Sequence, residues 1–193
     1  MKIAIIKYNA GNIMSVEFAL QRLGIECEVT DSYEKITKAD KVIFPGVGEA
    51  SSTIAYLKDK KLDLMIKNLK QPVLGICLGL QLLCSYSEEG NVDCLNIFNE
   101  KVRLFKPMLK VPHMGWNTIT NLSTKLFSSE IECQYVYFVH SYYAEIGQDT
   151  IATTDYILPF SASLHKNNFY ATQFHPEKSS EVGAMILKNF IEL

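Results

Sequence analysis

The sequence has no apolar run long enough to cross a bilayer. Its first one, KIAII at 2–6, turns polar within a few residues and is too short for the core of a secretory leader. A membrane partner is therefore not expected, and the expected location is cytoplasmic. Also missing is any CxxC pair. The five cysteines, Cys27, Cys77, Cys84, Cys94 and Cys133, are an odd number, which argues against a disulfide framework and against a zinc site. Reduced thiols are the default, and one of them is free to be catalytic. Charge of one sign is lacking too: 19 Lys and Arg against 21 Asp and Glu leave a formal net charge of −2. That removes the basic stripe a polyanion needs, so nucleic acid is not an expected partner. Neither GxGxxG nor a GKS/T ending occurs, which weakens any phosphate-binding reading.

What is present suits one folded unit. At 193 residues, with 48% hydrophobic residues and 21% charged, the chain is long enough to bury most of its surface as a single domain, 1–193. No repeat, low-complexity tract or linker interrupts it. In the first half, short apolar runs alternate with helical spacing: KIAII, residues 26–30, KVIF at 41–44 and PVLGI at 72–76 read as strands. Positions 14–23 and a stretch from about 49 to 70 read as helices, the first stopped by Gly24. Continuous apolar strands, rather than alternating ones, are those covered on both faces, so the sheet is parallel and doubly wound. From about Lys101 the texture becomes β-rich: KVRLF, NTITNL, YVYFVHSYYAEI, TIATT and FYATQF predict an antiparallel or mixed addition to the sheet. Residues 179–193 return to helix, with Val182, Ile186, Phe190 and Leu193 on one face and Ser179 or Ser180 as N-cap.

Three strand ends carry chemistry. GICLG at 75–79 joins the strand PVLGI to a helix read as LGLQLLCSYS, the form of a nucleophile elbow, in which a strained corner presents the side chain above the sheet. The N–H of Leu78 would point toward a developing oxyanion, and the start of the helix would favour a Cys77 thiolate. A cysteine in an apolar segment is more often inert packing, but the flanking glycines favour the nucleophile. QFHPEKSS at 173–180 places His175 and Glu177 two apart after a strand. These are the base a thiol requires and the carboxylate that orients its imidazole. A His-Pro turn with no catalytic part remains the alternative. FPGVG at 44–48 ends a third strand, where Gly46, Val47 and Gly48 could turn backbone N–H groups toward a ligand, or could form a plain loop.

With PGVG, GICLGLQ and QFHPEKS in that order over nearly the whole chain, the sequence resembles the class I glutamine amidotransferases. Within that class, VPHMGWN (111–117), YFVHSYY (137–143) and AGNIMSV (10–16) resemble the glutaminase subunits of imidazole glycerol phosphate synthase in histidine biosynthesis. The resemblance implies a flavodoxin-like three-layer α/β/α domain and a Cys77–His175–Glu177 triad. It also implies an oxyanion site of Gly46, Val47 and Leu78 backbone, and L-glutamine held near Gly48, Gln81, Glu89, Ser141 and Tyr142. It implies a heterodimer with a cyclase subunit, a (β/α)₈ barrel, that takes up the ammonia and makes imidazole glycerol phosphate and an aminoimidazole carboxamide ribotide. Neither a cofactor nor a metal is implied. Contacts with the barrel are implied for Asn12, Trp116, Tyr137 and Lys178, while a single Trp can equally be core. His113 and His140 could line the site, although hydrogen-bonded core histidines are commoner. Family members commonly begin DYGAGN where this chain has KYNAGN, which leaves open a relative that feeds a sugar-modifying synthase. A non-catalytic scaffold and a stand-alone thiol hydrolase are the readings from other classes. The PGVG loop is expected to be mis-oriented until the barrel docks.

Overall fold

The computed structural model describes residues 1–8 and 13–193, so the predicted contact residue Asn12 lies outside the described residues. The chain opens with strand β1 (Ile3–Ile6), helix α1 (Ile13–Arg22), strand β2 (Cys27–Thr30), a short helix α2 (Tyr33–Thr37) and strand β3 (Lys41–Phe44). Helices α3 (Ala50–Asp59) and α4 (Leu62–Lys67), strand β4 (Val73–Ile76) and helix α5 (Leu78–Leu83) follow. Strands β5 (Tyr86–Ser87), β6 (Val92–Asp93), β7 (Lys101–Leu104), β8 (His113–Thr118) and β9 (Tyr135–His140) come next. Then come β10 (Tyr142–Ala144), β11 (Thr150–Tyr156), β12 (Leu158–Lys166) and β13 (Phe169–Thr172), and helix α6 (Ser180–Glu192) ends the chain.

The strands form one long sheet in the order β2-β1-β3-β4-β13-β12-β10-β7-β5-β6, with β11 on β12, and a separate two-stranded sheet β8-β9. The pairs β1–β2, β1–β3, β3–β4 and β4–β13 are parallel. Beyond β13 the sheet turns antiparallel through β12, β10 and β7. This is the mostly parallel sheet with a β-rich addition that the texture predicts. Its two faces bury separate cores: Ala4, Ile6, Val42, Phe44 and Val73 point into one, and Ile3, Ile5, Ile43, Leu74 and Ile76 into the other. Successive side chains of a strand point to opposite faces, so only a sheet covered on both sides needs such unbroken apolar strands.

Several boundaries differ from the sequence reading. The helix expected through about residue 70 is two helices, because Lys61 adopts left-handed φ 56°. Leu57 and Leu62 are both buried, yet five residues apart on one helix they would stand about 140° apart; the break restores them to the same core. The helix after Cys77 stops at Leu83, and Ser85 to Ser87 do not continue it. Its last carbonyls are taken instead by a returning loop: Leu95 N–H donates to Leu82, and the Ile97 and Phe98 N–H groups to Leu83. YVYFVHSYYAEI is not one strand, since β9 belongs to the small sheet and β10 to the large one. Also not read from the sequence were the short helix α2, the two-residue strands β5 and β6 and the long strand β12. Ser179 occupies the N-cap position of α6 without a capping bond. Its hydroxyl donates to the His175 carbonyl at 2.7 Å and accepts from the Tyr137 N–H at 2.9 Å, a clamp between the turn after β13 and β9.

Candidate active site

Because β3, β4 and β13 are parallel, their carboxyl ends lie on one edge of the sheet, where open parallel sheets place their ligands. The three predicted loops leave from there. Cys77 follows β4 directly, and its N–H donates to the Thr172 carbonyl at 2.8 Å, continuing the β4–β13 ladder by one residue. The backbone of Cys77 itself takes the strained corner, φ 54° and ψ −108°, a conformation non-glycine residues rarely adopt. The glycines around it are there for close approach. A Cβ on Gly79 would sit 2.0 Å from the Phe44 carbonyl oxygen, and one on Gly46 would sit 2.6 Å from the Gly79 nitrogen. Any side chain at either position would push the PGVG loop off the elbow. Helix α5 has only six residues, so its dipole adds less at Cys77 than a long helix would.

Glu177 falls in a tight 3₁₀ turn, Pro176–Lys178, and His175 caps its start. The His175 N–H donates to the Tyr137 carbonyl at 2.9 Å. The imidazole Nδ1 is 2.8 Å from Glu177 Oε1, with both side chains buried. A carboxylate only accepts, so Nδ1 carries the proton of this bond and Nε2 is left to face Cys77. Burial opposes protonation of His175, but the Cys77 sulfur, through charge and hydrogen bond, and the Glu177 carboxylate outweigh it and push the pKa up from 6.5 to about 10. At neutral pH His175 is therefore held as an imidazolium beside the Cys77 sulfur.

Cys77 and His175 open into a cleft of about 390 Å³. Val47, Gly48, Leu78, Gln81, Glu89 and Ser141 line it together with Cys77 and His175, so most of the residues expected around glutamine converge. Tyr142 reaches the site through its backbone carbonyl, which accepts from Gln81 Nε2 at 2.9 Å. Gln81 spends its other N–H on Gln173 Oε1 at 3.1 Å, leaving its carbonyl oxygen as the group it can offer a ligand. Glu89 accepts from the Ala50 N–H at 2.8 Å, and burial raises its pKa above the usual carboxylate value. Pro112, Val139, His140 and Lys178 complete the wall.

His140 satisfies both readings offered by the sequence, and His113 only that of a hydrogen-bonded core histidine. They are buried, and His140 also lines the cleft. His140 Nδ1 donates to the Tyr142 carbonyl at 2.7 Å, which makes its Nε2 the acceptor for His113 Nδ1 at 3.1 Å. Burial holds both neutral, with pKa values lowered to about 3 for His140 and about 4 for His113. Trp116 is 52% exposed on β8, which rules out the core alternative. It stands opposite Tyr137 on β9, and the Lys178 ammonium lies 5.9 Å from the Tyr137 ring centroid. Missed from the sequence was Gln173, fully buried, whose Nε2 is 3.7 Å from Cys77 Sγ. Its place two residues before His175 in QFHPE was the available signal.

A parallel sheet whose strand ends gather a strained Cys, a His–Glu pair and a glycine loop has the groups that thiol-dependent acyl transfer requires. The sequence description of the class-I glutamine amidotransferases matches residues 4–193, and the chain belongs to that family. It is 62% identical over 196 residues to the imidazole glycerol phosphate synthase subunit HisH of Bacteroides fragilis, covering 100% of both chains. It is 60% identical to the HisH subunit of Bacteroides thetaiotaomicron, again over 100% of both. It is 48% identical to that of Pasteurella multocida, over 98% of this chain and 97% of the relative. Among solved structures, a putative GMP synthase component of Thermoplasma acidophilum superposes with a TM-score of 0.76 at 20% identity, over 100% of this chain and 92% of that one. A further glutamine amidotransferase gives 0.75 at 16% identity, over 98% and 97%. At such identities the likeness is one of fold. No helix among the described residues is long and apolar enough to cross a membrane, and no cluster of His, Cys, Asp or Glu among them could hold a metal ion.

Proposed function

We propose that this chain is the glutaminase subunit of imidazole glycerol phosphate synthase, acting in histidine biosynthesis through a Cys77–His175–Glu177 triad. The observation that carries this reading is the buried 2.8 Å His175–Glu177 bond beside a cysteine held at φ 54°. It is supported by full-length identity of 62% to a subunit of that name. L-Glutamine enters the cleft and the Cys77 thiolate attacks its δ-carbonyl carbon. The oxyanion is stabilised by the backbone N–H of Leu78 and by the Gly46–Val47 loop. His175 gives its Nε2 proton to the departing nitrogen, the C–N bond breaks, and ammonia leaves a γ-glutamyl thioester on the sulfur.

The same electrostatics then reverse the role of His175. Thioester formation removes the sulfur's negative charge, a principal cause of the raised His175 pKa. Burial then dominates, and the neutral imidazole accepts a proton from the water that hydrolyses the thioester to glutamate. Glu177 keeps the Nδ1 proton in place throughout.

The ammonia passes to a (β/α)₈-barrel cyclase that converts it into imidazole glycerol phosphate and the aminoimidazole carboxamide ribotide. The barrel docks over the β8–β9 hairpin and the turn after β13, through Trp116, Tyr137 and Lys178. Exposed Met114 on β8 and exposed Met14 and Phe18 on α1 extend this surface, an arrangement suited to an apolar interface centre. Before docking, the PGVG loop holds its N–H groups away from the oxyanion position, so the resting chain does not waste glutamine. The test is glutamate release by the purified chain with and without the barrel subunit and its ribotide. Low activity alone and a large rise in the complex are expected; full activity of the isolated chain would refute the dependence.

A further inference from the structure

Gln173 takes no part in those steps, yet it is fully buried and meets the nucleophile. The orientation of its amide is dictated from outside. The Tyr142 carbonyl can only accept, so the nitrogen of the Gln81 side chain faces it, and the second Gln81 N–H then donates to Gln173 Oε1. That leaves Gln173 Nε2 as the end turned to Cys77 Sγ, at 3.7 Å, close enough for an N–H to sulfur bond. His140 donates to the same Tyr142 carbonyl, which pins the anchor of this chain from its other side.

We infer that Gln173 is a positioning residue for the nucleophile, its side-chain N–H holding the Cys77 sulfur and favouring the thiolate. The inference rests on Cys77 being the nucleophile. The surroundings of the sulfur give it physical content. Cys77 is 7% exposed, so water offers its anion little solvation, and each donor that replaces water lowers the cost of the charge. Besides His175 on its other side, the sulfur has the Val139 carbonyl at 3.9 Å, which accepts from the thiol and repels the thiolate. Gln173 and Val139 therefore select opposite protonation states, and of these two Gln173 selects the reactive one.

Iodoacetamide alkylation of Cys77 across pH in the full chain, followed by peptide mass mapping, tests this against Gln173→Met and Gln173→Glu. The first keeps volume and removes both donors. The second keeps an acceptor for Gln81 and turns an oxygen toward the sulfur. Loss of the donor is expected to raise the alkylation midpoint by about one pH unit in Gln173→Met, slowing reaction below the midpoint about tenfold, and further in Gln173→Glu. Unchanged midpoints in the folded variants would overturn the inference. Should neither variant fold, the Gln173 side-chain NH₂ resonances of the unaltered chain decide: they must shift with the Cys77 midpoint, and pH-independent resonances would overturn it. Failure of the nucleophile assignment looks different, because Cys77→Ser would then retain glutamine turnover.

Discussion

The parallel and antiparallel parts of the sheet contribute differently to the cleft. The parallel part delivers Cys77, His175 and Glu177 from the ends of β4 and β13, whose register runs from Phe169 opposite Val73 to Thr172 opposite Ile76. The antiparallel part and the β8–β9 hairpin deliver walls and the proposed docking surface: Pro112, Val139, His140 and Ser141 face the cleft, and Trp116 faces solvent. The difference follows from strand direction. Parallel neighbours end on the same edge and so pool the residues that follow them, whereas antiparallel neighbours send alternate ends away.

This division of labour predicts a graded series of effects. Cys77→Ser should abolish glutaminase activity in the barrel complex, by about 10⁴-fold or more in kcat, with the barrel still bound. Next comes Glu177→Gln, which keeps the shape of the turn and removes its charge. Activity should fall about 10²- to 10³-fold, and the pH profile should change with a definite sign. His175 has a folded pKa raised from 6.5 to about 10, so what its protonated form contributes to the fold is complete below 6.5 and is lost as pH rises through about 10. The alkaline limb of the unaltered complex should lie near the upper value and move toward neutrality in Glu177→Gln; an unmoved limb would break the assignment of Glu177.

A third change tests how α6 supports the parallel half. A Cβ on Gly183 would lie 1.9 Å from the Pro176 carbonyl oxygen, so Gly183→Ala must displace the turn that carries His175 and Glu177. A stability loss of about 2–3 kcal/mol and a larger loss of activity than the fold alone explains are expected, read by denaturant midpoint and turnover together. The smallest effect on the isolated chain belongs to the hairpin. Trp116→Ala should leave its denaturant midpoint nearly unchanged, yet weaken barrel binding by about 2 kcal/mol, near thirtyfold in Kd, by titration calorimetry. If Trp116→Ala unfolded the chain, or left binding intact, the hairpin would not be the docking surface.

The sequence by itself determined the parts whose signals are local. Cys77 between Gly75 and Gly79 at a strand-to-helix junction, the two-residue spacing of His175 and Glu177, the apolar strands of a doubly covered sheet and the resemblance carried by PHMGWN are all read within a dozen residues. Only the tertiary structure decided what depends on distant neighbours. That β4 lies beside β13, that YVYFVHSYYAEI divides between two sheets, and that α3 breaks at Lys61 to return Leu62 to the core are outcomes of packing. The tautomers of His113 and His140 come from one backbone carbonyl, and the contact of Gln173 with Cys77 joins residues 96 apart in the chain. A side-chain amide shows its donor and acceptor ends only when its partners are in place, and here those partners come from α5 and β10.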